Sequence, residues 1–202
     1  MRLLLVLLCA QTVSAQVLAP EPEQPTGFHE HDGFFLSLST GLGYANVEDR
    51  WGGAKLTYDG LNGSFDVRIG GSIAQNLILS GDLMGWSLSD PKVSGYGTLG
   101  NTSLIQSTVG AGLTYYFMPA NIFVSGTVGL AGFSLDAGGN TTSSDTGVGL
   151  YLKAGKDWWV GADWGLGVAA TFGWSSVKTA TTSGDEKLSG YSVGLQFNAT
   201  YQ

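Results

Sequence analysis

Along the segment 191–201, Tyr191, Val193, Leu195, Phe197, Ala199 and Tyr201 interleave with Ser192, Gly194, Gln196, Asn198 and Thr200. Successive side chains of a strand point to opposite faces, so this is a strand with one large apolar face and one small polar face. The same period of two returns in seven earlier segments, spanning 34–42, 61–73, 77–83, 105–115, 122–130, 148–154 and 166–174. In each, Leu, Val, Ile, Phe or Trp alternates with Gly, Ser, Thr or an occasional charge. A chain with this pattern folds into a sheet, and eight segments set the strand number.

The links between segments alternate in length. Residues 74–76, 118–121 and 157–163 are short connections. Residues 46–60, 89–102, 134–146 and 176–190 are longer and rich in Gly, Ser, Thr, Asn and Asp. Eight strands joined this way predict an all-β, eight-stranded antiparallel up-and-down barrel with its ends on the short-turn side. Its interior is only just wide enough for side chains to fill. The Gly, Ser, Thr and Ala set fits inside and the Leu, Phe, Tyr and Trp set does not, so the large residues face outward. A continuous apolar outer band belongs in lipid, which predicts a transmembrane barrel.

The stretch KDWWVGADW, residues 156–164, places three of the six tryptophans beside three charges. Indole rings favour the boundary between a bilayer and water. The segment therefore reads as a periplasmic turn, with Trp158, Trp159 and Trp164 in an interfacial girdle and Lys156, Asp157 and Asp163 in water. Tyr115 and Tyr201 fall at the same level.

Before the barrel, MRLLLVLLCAQTVSA has the charge, apolar run and small residues of a signal peptide, residues 1–15. Its removal takes away Arg2, moving the formal charge from -7 to -8, and Cys9, the only cysteine. Residues 16–32 are rich in proline and glutamate and read as a flexible lead-in, leaving 33–202 as the barrel. An acidic chain with few cations lacks the footprint of a nucleic-acid binder.

Little in the sequence points to catalysis. The two histidines, His29 and His31, lie in HEHDG with Glu30 and Asp32. These donor types suit zinc or nickel, but alternate residues of a flexible segment do not fix a site, so a solvated lead-in and no metal or cofactor are expected. Without a later histidine, a lipid-modifying acyl-transfer site is not expected. GLGVAA, residues 165–170, matches a dinucleotide fingerprint by letters, yet the residues after it continue a period of two where a helix is required. Strand parity sends Asp66, Arg68, Asp82 and Lys153 into the lumen. A turn centred on Gln75 sets Arg68 opposite Asp82, which predicts a charge-assisted pair within a polar network closing the barrel. A narrow ion path is the competing expectation.

With the strand pattern, YYFMPAN at one turn, GKDWWV before another and the alternating last strand, the sequence from Gly33 to Gln202 resembles the small outer-membrane barrels of the OmpA, OmpX and OmpW kind. That resemblance implies an outer-membrane location, a lipid environment and assembly by the barrel insertion machinery. Gln202 follows Tyr201 where such chains usually end on an aromatic residue, and a peptidoglycan-binding domain after the eighth strand is not expected. The function expected is non-enzymatic, with polar loops presented at the surface for envelope structure or contact with a partner. The alternative is a small channel for ions or apolar solutes.

Overall fold

A computed structural model describes residues 31–181 and 184–202. The expected signal peptide, most of the lead-in, His29 and Glu30 lie outside them. Eight long strands make the barrel: β1 (Phe34–Trp51), β2 (Ala54–Ala74), β3 (Leu77–Ser89), β6 (Thr102–Phe117), β7 (Ile122–Ala137), β9 (Gly147–Trp159), β10 (Trp164–Thr181) and β11 (Gly184–Tyr201). Each pairs antiparallel with the next, and β1 pairs with both β2 and β11, closing the sheet. Closure leaves no unpaired edge among the eight strands.

The partition follows side-chain volume. Leu42, Leu61, Leu195 and Phe197 are more than two-thirds exposed on the outer face, whereas Ser37, Asp66, Thr127 and Gln196 are buried inside. On β10 the outward-facing Trp164 and Trp174 are ten residues apart. At about 3.3 Å per residue and a tilt of about 40° that is about 25 Å of height, the apolar thickness of a membrane barrel. Interior glycines let the strands close tightly. Gly110 and Gly129 face each other across β6 and β7, and a Cβ on either would overlap the backbone of the opposing strand.

The ends differ from the expected loops. At the short-turn end the connections are residues 75–76, 118–121 and 160–163. At the other end, two segments expected as long polar loops, 46–60 and 176–190, are mostly strand. β1 passes into β2 through Gly52 and Gly53 alone, both at positive φ as a tight hairpin turn requires. In these ribbons the outer face carries Glu48, Arg50 and Lys55, so the alternation of large and small residues fades while backbone pairing continues. The 89–102 segment holds the short strands β4 (Lys92–Val93) and β5 (Gly97–Thr98), with β4 added to β2 beyond the end of β3. In the 134–146 segment, β8 (Asn140–Ser143) folds back on β7.

Candidate functional site in the barrel lumen

The lumen is filled in three layers, and β3 supplies one residue to each: Ile78 at the short-turn end, Asp82 in the middle and Trp86 toward the long hairpins. The middle layer is polar. The Arg68 guanidinium pairs with the Asp66 carboxylate at 3.0 Å and also donates to the Ser125 hydroxyl. Lys153 donates to Asp66 at 3.2 Å and to Ser39 at 2.7 Å. Asp66 therefore sits between two cations, and all three side chains are almost completely buried.

Arg68 and Asp82 are cross-strand partners in register, as expected. The direct pair expected between them is not the contact Arg68 makes. Arg68 is long enough to reach across the narrow lumen to β7, and it pairs with Asp66 two residues back on its own strand. Asp82 is short and is satisfied by hydroxyls, accepting from Ser80 at 2.5 Å and from Thr127.

Toward the long hairpins, Ala45, Val47, Trp86, Leu88, Leu104, Phe133 and Val177 form a buried apolar cluster. Trp86 meets Phe133 edge-on at 6.2 Å. Toward the short turns, Phe35, Ile78, Tyr116, Phe123 and Ala169 form a second cluster. His31 lies against it, 1% exposed, stacked on Tyr116 at 3.6 Å. Its ring nitrogens meet the side-chain amides of Asn121, at 2.7 Å, and Gln202.

Two expectations near this end are corrected. His31 is an inward cork residue rather than part of a solvated lead-in, because aromatic stacking and two amide contacts hold it. Its ring nitrogens are directed to amides, and among the described residues no cluster of three or more His, Cys, Asp or Glu is placed to hold a metal. The 156–164 segment is also not all turn. β9 runs on to Trp159, so strand parity sends Asp157 and Trp159 inward and Lys156 and Trp158 outward. Asp157 is thus buried rather than in water. It accepts hydrogen bonds from Tyr116 (3.2 Å), Asn198 (3.3 Å) and Thr200 (3.2 Å). Trp159 stacks toward His31 at 5.3 Å and leaves the expected girdle. Tyr115, Trp158 and Trp164 do face outward near the short turns. Tyr201, half-buried, packs edge-on against Trp164 at 5.3 Å. Lys156 lies 5.6 Å from the centre of the Trp158 ring.

At the long-hairpin end, above Leu104 and Phe133, lies a cup of about 360 Å³ lined also by Tyr58, Leu135, Leu188, Asp49 and Glu186. Burial, then the charge of Glu186 and a hydrogen bond to it, pushes the Asp49 carboxyl from its usual 3.8 up to about 6. A carboxyl that binds its proton more tightly when folded lends stability at low pH, and that contribution is lost as pH rises from about 4 through about 6. Asp49→Asn is expected to raise the stability of the hairpin end at neutral pH and to flatten its dependence across this window. Amide exchange of β1 and β11 at pH 4.5 and 7 reads both.

Eight closed strands, a filled interior and an apolar belt bounded by aromatic rings define the class: an eight-stranded β-barrel resembling transmembrane outer-membrane barrels. No protein-family model and no curated sequence matches the chain. Among solved structures it is similar to the Neisserial surface protein A barrel, with 16% identity over 83% of this chain and 97% of that one and a TM-score of 0.48. It is also similar to OprG from Pseudomonas aeruginosa, with 14% identity over 83% and 97% and a TM-score of 0.44. The outer membrane protease OmpT from Escherichia coli gives 10% identity over 84% and 96%, also with a TM-score of 0.44. A barrel fold that includes a protease does not by itself decide for or against catalysis.

Proposed function

We propose that this chain is a non-enzymatic outer-membrane barrel that holds ordered hairpins at the cell surface, for envelope structure or for contact with a partner. The observation that carries this reading is the filled lumen. An ion going from end to end would have to pass the Trp86 and Phe133 layer, the Asp66 network and the Tyr116 and His31 cork. The surface role is supported by strands that run on past the apolar belt as paired ribbons, β1 with β2 and β10 with β11, where slack loops were expected. The non-enzymatic role is supported by the placement of imidazole: both histidines precede the first strand, and His31 is at the short-turn end, away from the cup.

Planar-bilayer recording of the purified, folded protein tests this reading. It predicts no steady open conductance, and shortened hairpins are expected to abolish surface binding while the folded barrel persists. A steady conductance in the wild type would favour the channel reading.

A further inference from the structure

The outer face of the long-hairpin ribbons carries a row of cations set by strand register. Lys55 on β2 is the direct cross-strand partner of Arg50 on β1. Arg50 is in turn the partner of Lys187 on β11, and Lys187 of Lys178 on β10. Four neighbouring strands thus place four positive side chains at one level. All four share the strand parity of the outward residues below them: Tyr44, Leu61, Tyr191 and Trp174.

Like charges directly opposite one another on a sheet are destabilising. One carboxylate offsets part of the repulsion, Glu48, which contacts Arg50 and Lys55 at 2.5 Å each. The row is the more notable in a chain of formal charge -7 with nine Lys and Arg in all. Two of those nine, Arg68 and Lys153, are inside the lumen.

We propose that this row is a docking strip for the phosphate groups of glycolipid headgroups in the surrounding membrane, on the long-hairpin side. Height supports it. Lys187 and Lys178 lie four residues beyond Tyr191 and Trp174, about 13 Å along the strand and about 10 Å above the aromatic level at a tilt of about 40°. That is the headgroup layer. Direction supports it too. On the same ribbons the inner face carries acids, Asp49 and Glu186 at the cup, whereas the four cations of the row are all on the outer face, with Glu48 and Asp59 among them. A soluble anion approaching the mouth meets carboxylates, whereas a headgroup beside the barrel meets the row. Arg and Lys are the residues that pair with phosphate oxygens in charge-assisted hydrogen bonds.

The test folds the full chain into phosphatidylcholine vesicles with a minor fraction of either bisphosphorylated lipid A or its dephosphorylated form. The readout is the unfolding midpoint, taken from the heat-dependent gel shift. The wild type is expected to gain several degrees from the phosphorylated lipid only, and to lose most of that gain between about 0.05 M and about 0.5 M salt. Arg50→Gln, Lys55→Gln, Lys178→Gln and Lys187→Gln together are expected to remove most of the gain, and Lys178→Gln with Lys187→Gln about half. Lys92→Gln, off the row, is expected to keep it.

An equal gain in the wild type and the row variants, or no gain in the wild type, overturns the proposal. A gain from soluble dextran sulfate with none from the phosphorylated vesicles overturns it in favour of a soluble polyanion. The inference rests on the membrane reading, and folding into plain phosphatidylcholine vesicles checks that reading separately.

Discussion

Asp66→Ala is expected to destabilise the barrel by about 3–5 kcal/mol, the usual result of stripping a buried charge of its partner. Asp66 is the carboxylate shared by Arg68 and Lys153, so its loss leaves two cations facing each other in the lumen. Arg68→Ala is expected to cost less, because Asp66 keeps Lys153. A second change, Lys153→Met, made in the Asp66→Ala background should recover part of the stability by removing one uncompensated cation, and non-additivity of that kind is the mark of a coupled pair. Urea unfolding in vesicles measures all three. Conductance is expected to stay absent in each, since the apolar layers on either side of the network remain.

The second large effect is expected at Tyr116. Tyr116→Ala removes a fully buried ring that stacks on His31 and packs against Phe123 at 5.4 Å. It should cost about 3–5 kcal/mol, as for other large-to-small changes at buried aromatic positions. Tyr116→Phe keeps the packing and removes only the hydroxyl that donates to Asp157. Asn198 and Thr200 still donate to that carboxylate, so a loss of about 1 kcal/mol is expected. Unfolding midpoints of the two variants separate packing from hydrogen bonding. A Phe variant as unstable as the Ala variant would place the main contribution in the hydroxyl.

Strand number, closure and the outward placement of large residues were legible in the sequence, because a period of two and a volume limit act on every strand at once. The buried charges Asp66, Arg68, Asp82 and Lys153 were legible by the same parity. Their partners were not, because parity assigns a face and says nothing of how far a side chain reaches; Arg68 crosses the lumen to Ser125. The inward aromatics escaped for a different reason. The volume argument averages over a whole face, while Phe35 and Tyr151 take the room left by glycines on the next strand and Trp86, Tyr116 and Phe133 pack in the two apolar layers at the ends of the lumen. Tyr151, for example, lies opposite Gly173. A large residue on the small-residue parity beside a glycine was the available signal. The hairpin ribbons were read as loops because polar residues there mask the period, and His31 because its contacts at Asn121 and Gln202 are distant in sequence.

The central claim is that the apolar band faces lipid and the polar face is enclosed. It is tested most directly by expressing the full chain, isolating outer membranes and comparing the protein's gel mobility with and without boiling. A compact band that shifts on heating, found in the outer-membrane fraction, is the predicted result. A protein recovered in the soluble periplasmic fraction with no heat-dependent shift would contradict it, and the large apolar residues would then need a different partner from lipid.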